Sequence, residues 1–179
     1  MIEQECSIPP EFTKSYVTRM LQKRLRMVHI GFGLVAFIFI FIATVSKSFT
    51  FFVIGALILG FVYLYMRASF TYEFQKIAQG LRIVISNNSI RKYIDTESLE
   101  AMNKQKRSQA AYNYNQVIPF TDITSVTIKS NEIIVFTKQA NTTNEFGRIT
   151  IPCEIESFEN ISDFFISNPE LFPRISRVN

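Results

Sequence analysis

Apolar and polar positions divide this chain into three regimes. Up to Arg26 they mix at helical spacing, from Met27 to Met66 the chain is almost unbroken apolar sequence, and after Arg67 short alternating runs are separated by turn-forming residues. Each regime predicts a different kind of element.

The middle regime, MVHIGFGLVAFIFIFIATVSKSFTFFVIGALILGFVYLYM, holds one obligate charge, Lys47. A helix rises about 1.5 Å per residue and a bilayer core is about 30 Å thick, so one crossing takes about 20 residues. Forty residues therefore predict two spans, 27–45 and 49–66, joined by the polar turn Ser46-Lys47-Ser48. A single helix centred in the bilayer would instead hold Lys47 at mid-membrane, at a cost of about 2.5–3.5 kcal/mol, and leave apolar length in water. A cleaved signal peptide fits poorly, because 26 residues precede the first run and a second apolar run follows at once.

Cations set the expected orientation. Arg24 and Arg26 precede the first span and Arg67 follows the second, while the tip has Lys47 alone, which predicts both termini in the cytoplasm. Tyr63 and Tyr65, together with Arg24, Arg26 and Arg67, are the expected interfacial anchors. Ala56 and Gly60 form a small-xxx-small pair, and Gly31, Gly33, Ala36 and Ala43 add small residues to the first span; packing of the two spans on each other is the expected use. His29, the single histidine, is expected to be a polar anchor at the membrane entry. Neither span carries Asp, Glu or Arg, so no ion-binding or proton-relay path is visible.

In the first regime, residues 1–26, Phe12, Tyr16 and Met20 recur every four residues beside a stripe of Val17, Leu21 and Leu25. Cations fill much of the remaining surface, and Pro9-Pro10 suits a helix start. This basic amphipathic helix is expected either to lie on anionic lipid or to pack on the downstream domain.

The third regime, residues 67–179, predicts a small β domain. LRIVISN turns at Asn87-Asn88 into SIRKYI, a hairpin; Asn115–Phe120, Ser125–Lys129, Ile133–Lys138 and Arg148–Pro152 are four further expected strands. Phe70–Ala78 is compatible with helix or strand. The polar stretch near 95–115 predicts an insertion, with a short helix near Ser98–Lys104. At the end, Ser157 is an expected N-cap for a helix carrying Phe158, Ile161, Phe164 and Phe165, stopped by Asn168-Pro169. Strands followed by one amphipathic helix predict an α+β protein: a two-helix transmembrane hairpin followed by a small β-sandwich or barrel closed by a C-terminal helix.

Composition narrows the function. The chain has 179 residues, 18 Phe, no Trp and a net charge of +4, with a pI near 9.1. From Arg67 onward 13 basic residues face 12 acidic ones, so the downstream domain lacks the clustered excess a nucleic-acid surface needs. Cys6 and Cys153 have neither disulfide-framework nor metal spacing. One histidine excludes the usual Ser/His/Asp or Cys/His arrangements, and no phosphate loop, CxxC or HExxH occurs. No catalytic residue, cofactor or metal site is therefore expected. Three N-x-S/T sequons, at Asn87, Asn141 and Asn160, are taken as chance in a cytosolic domain.

IPFTDITSV (Ile118–Val126), the strand pair after it and RITIPCEIESFENISDFF (Arg148–Phe165) resemble the bacterial pleckstrin-homology-like domains, including the membrane-anchored YcxB-like type. Phe120 stands where such domains often carry Trp. The resemblance implies a pleckstrin-homology-like domain tethered in a bacterial plasma membrane, a multi-pass protein with two integral spans. The expected function is a non-enzymatic binding or scaffolding module for a protein partner. The alternatives are an immunity or stress-response effector acting through its hairpin, and a lipid-sensing domain. Anionic lipid or partner contact would fall to Lys104, Lys106 and Arg107, with Arg91 and Lys92.

Overall fold

A computed structural model describes residues 4–45, 49–103, 115–138, 147–172 and 174–178. The chain divides into two compact units: Val17–Gln75, and the remainder on either side of it.

Two continuous helices, α1 (Pro10–Val45, 36 residues) and α2 (Phe49–Gly80, 32 residues), supply the helical unit. At about 1.5 Å per residue they are about 54 and 48 Å long, well beyond an apolar core of about 30 Å. The basic segment is thus not a separate element but the first turns of α1, and Phe70–Ala78 is helix, the end of α2.

The other unit has two four-stranded sheets. In the first, β1 (Gln4–Ser7), β2 (Leu81–Ile85), β3 (Ser89–Ile94) and β4 (Gln116–Pro119) lie in that order, all antiparallel. In the second, β5 (Ile123–Lys129), β6 (Glu132–Thr137) and β7 (Arg148–Pro152) are antiparallel and β8 (Ile175–Val178) runs parallel to β5, giving the order β7-β6-β5-β8. Among the described residues the unit also holds α3 (Thr96–Asn103), α4 (Phe158–Ser167) and a single 3-10 turn at Phe120–Asp122.

One core joins the sheets. Alternation turns Ile83, Ile90, Ile133, Val135, Ile149 and Ile151 inward, where all are fully buried, and α4 adds Ile161 and Phe165. Phe120, Phe164, Phe165 and Phe172 stack edge to face or tilted with centroids 4.9–6.0 Å apart. Their mutual burial closes one end of the core.

Several local features depart from the expected pattern. β5 begins at Ile123 because the pairing jumps from Ile123↔Thr137 to Ser125↔Phe136, leaving Thr124 as the extra residue of a bulge. The bulge shifts the alternation by one, so Ile123 and Val126, three apart, both face the core. Ser157 does not cap α4 with its side chain; it sits in the left-handed region at φ 59° and starts the helix through its carbonyl, which accepts from the Ile161 N–H. Asp95 is the cap with a side-chain bond, its Oδ1 accepting from the Ser98 N–H at 2.8 Å at the start of α3. Asn168 ends α4 by donating from Nδ2 to the Phe164 carbonyl.

β1 and β8 carry no periodic signal of their own. QECS has one inward side chain, Cys6, which is 1% exposed. It becomes a strand by pairing with β2, Cys6 opposite Ile83, although all of α1 and α2 lies between them in sequence.

Candidate functional site

The helical unit presents the largest unsatisfied surface. Half-buried or buried positions recur every three or four residues, at Leu25, Val28, Phe32, Ala36, Phe39 and Ala43 on α1 and at Gly55, Leu59, Tyr63, Met66 and Phe70 on α2. That is the seam of an antiparallel helix pair. Contacts across it confirm the register. Arg24 lies 5.5 Å over the Phe70 ring, His29 stacks on Tyr63, Phe32 meets Tyr63 edge-on, and Phe39 lies against Gly55. The midpoints of these pairs are 47, 46, 47.5 and 47, so the pairing is symmetric about position 47; residues 46–48, where the sequence predicts a polar turn, lie outside the described residues.

Gly55, not Gly60, is the close-approach glycine. A Cβ there would come within 2.7 Å of Phe39 Cδ1, whereas one at Gly31, Gly33 or Gly60 meets nothing within 4 Å. The Ala56/Gly60 pair therefore points away from α1, while Ala36 and Ala43 lie on the seam. Tyr63 also turns inward, its hydroxyl 3.2 Å from His29 Nε2, and Tyr65 stays outward.

Off the seam, apolar side chains are exposed on every face, including Phe37 at 70% and Phe61 at 72%. The most apolar stretches of α1 and α2 have mean hydropathies of 2.5 and 2.2 and are 0% and 6% buried. By length and composition both helices can cross a membrane.

Charge follows the same division. Val17–Gln75 contains six cations, Arg19, Lys23, Arg24, Arg26, Lys47 and Arg67, and one carboxylate, Glu73. The other unit has 13 cations and 14 carboxylates, a net of −1. The chain's whole positive excess thus belongs to the helical unit, and all but Lys47 lies toward one end of the apolar band. Arg24, Arg26 and Arg67 are exposed there. On α2 a shallow groove runs along Leu64, Arg67, Ala68, Thr71, Tyr72 and Gln75.

In the sheet unit the expected contact residues do not converge. Arg91 and Lys92 are adjacent in β3, so they point to opposite faces. Arg91 lies outward, 4.8 Å over the Tyr93 ring; Lys92 Nζ donates to the Thr150 carbonyl at 3.1 Å, tying β3 to β7 across the two sheets. Lys104, Lys106 and Arg107 lie outside the described residues.

The outer face of the first sheet instead holds β1 in place. The Tyr93 hydroxyl donates to Glu5 Oε1 at 3.0 Å, Arg82 Nε lies 3.6 Å from the same oxygen, and Arg82 also pairs with Asp95 at 3.3 Å. Partial burial, then the bond to Glu5, pushes the Tyr93 hydroxyl's pKa up. Below β1, burial first and the Glu156 carboxylate second raise that of the Cys6 thiol, keeping it protonated and unreactive at neutral pH.

A second depression opens beside edge strand β4, lined by Gln116–Pro119, Asp122, Thr137, Lys138 and Gly147, with Val117 58% exposed. Among the described residues no group of three or more His, Cys, Asp or Glu could hold a metal ion. The α2 groove escapes sequence reading because Thr71, Tyr72 and Gln75 fall in the stretch compatible with helix or strand; only an uninterrupted α2 aligns them with Leu64. No family model, curated protein or solved structure matches the chain.

Proposed function

We propose that this chain is a membrane-anchored, non-enzymatic binding module. Its two long helices form a hairpin crossing a plasma membrane twice, and the sheet unit faces a protein partner in the cytoplasm. The observation that carries the reading is the β1–β2 pairing across the helical segment. One crossing would put Gln4–Ser7 and Leu81–Ile85 on opposite sides of a bilayer, so their pairing supports an even number of crossings. Zero crossings would leave the helices on a surface, yet they have no polar face over the apolar stretch to turn toward water. Two crossings cover the exposed apolar side chains and leave the cations of Arg19–Arg26 and Arg67 on the cytoplasmic side, where the orientation rule favours them.

The pleckstrin-homology-like reading of the sheet unit draws support from two four-stranded sheets sharing a core with α4 against it. The non-enzymatic reading rests on the residues: the single histidine lies in the apolar segment. For the partner surface we favour the depression beside β4, where an edge strand and exposed Val117 lie together. A photo-crosslinking residue at Val117 in native membranes is expected to trap one reproducible protein adduct that the same residue at Lys129 does not. The absence of any reproducible adduct at Val117 would contradict the assignment.

A further inference from the structure

We infer that the α2 groove at Leu64, Arg67, Ala68, Thr71, Tyr72 and Gln75 binds the headgroup of an anionic phospholipid. The inference rests on the two-span reading above and names a ligand for it. Leu64, Ala68, Thr71 and Gln75 follow one another at spacings of four, three and four, so they form one helix face, with Arg67 and Tyr72 at its borders.

The groove's chemistry is one-sided. It is lined by the Arg67 guanidinium, the Gln75 amide and the side chains of Thr71 and Tyr72, and its lining contains no carboxylate. The Thr71 hydroxyl donates to the Arg67 carbonyl at 2.8 Å, so its proton is committed within the helix and the Arg67 guanidinium is the groove's charged donor. A guanidinium flanked by neutral polar groups suits a phosphodiester, which accepts paired N–H donors. The helical unit's excess of five positive charges adds a favourable field for an anion.

Depth selects a lipid over a free phosphate. The apolar run ends at Met66, so Arg67 and Thr71 stand about 1.5 and 7.5 Å beyond it along the helix and bracket a headgroup layer of about 5–7 Å, while Gln75, at about 13.5 Å, lies past that layer. Below them Leu64 and Phe61 are exposed at 62% and 72% and extend toward the acyl region. One lipid can therefore meet both surfaces at once.

The test uses the full chain reconstituted in vesicles of equal parts phosphatidylglycerol and phosphatidylcholine, extracted in mild detergent, with retained lipid quantified by mass spectrometry. Retained lipid is expected to be enriched in phosphatidylglycerol, and R67Q is expected to lower that enrichment about fivefold. R67K, which keeps the charge but not the paired N–H donors, should keep only part of it, and K47Q, the same charge loss at the other end of the hairpin, should leave it unchanged. Equal losses in R67Q and K47Q, or no enrichment in the wild type, would overturn the inference. So would displacement of the lipid by added inorganic phosphate, which would mark a free-anion site. Resistance to alkaline carbonate extraction is scored on the same vesicles: a chain that washes off refutes the two-span reading, whereas one that stays integrated without lipid preference refutes the groove alone.

Discussion

Gly80 sits where α2 ends and β2 begins, its carbonyl accepting from the Asp95 N–H. A Cβ there would run into Ser98 Cβ and Oγ and Ile94 Cγ2, and Ser98 is itself buried at the start of α3. G80A should therefore destabilise the sheet unit by about 1–3 kcal/mol through overpacking, measured by chemical denaturation. An unchanged midpoint would mean that the α3 contact is loose. Ser157 gives the opposite expectation. Because it is left-handed and makes no side-chain cap bond, S157G should stabilise by about 0.5–1 kcal/mol, the relief of that conformer less glycine's entropy cost. S157A should not show the loss of about 1 kcal/mol typical of a removed N-cap. Residue types correctly mark a helix start at 157; they cannot reveal that the serine hydroxyl makes no bond to the first-turn N–H groups.

Among elements, legibility in the sequence follows how local the cause is. The helices are fixed by composition over many consecutive residues, and the hairpin of β2 and β3 by alternation about Asn87-Asn88. The start of β5 is displaced because a bulge at Thr124 breaks the alternation that marks a strand. β1 is illegible, since four residues with one inward side chain owe their conformation to a partner far along the chain. Its docking is measurable through Cys6. In the folded protein a thiol reagent should label half-buried Cys153 about tenfold or more ahead of Cys6, which reacts only when β1 lifts. Burial raises the folded thiol's pKa, so folding favours its protonated form. That contribution is complete below the ordinary thiol value of 9.0 and is lost as pH rises through the higher folded value. Stability should accordingly fall above about pH 9 more in the wild type than in C6A, as read by denaturation midpoints. A matching decline in both would assign the loss to other groups.

For the whole molecule, the helical segment is an excursion between two adjacent strands of one sheet. Sequence hydropathy gives its two apolar runs and their polar turn, and the flanking cations suggest its orientation. What hydropathy does not contain is that Gln4–Ser7 belongs to the same compact unit as the chain after Lys76. The expected lipid contacts illustrate the same limit: Arg91 and Lys92 are neighbours in sequence but are sent to opposite faces by the strand, while Arg67, Thr71 and Gln75 are spread in sequence but aligned by the helix. Two crossings with β1 and β2 in the cytoplasm place position 47 and position 179 in opposite compartments. A membrane-impermeant thiol label on intact cells, applied to single cysteines from K47C and N179C in a chain otherwise free of cysteine, should reach 47 from outside and 179 only after permeabilisation; labelling of both from the same side would rule the hairpin out.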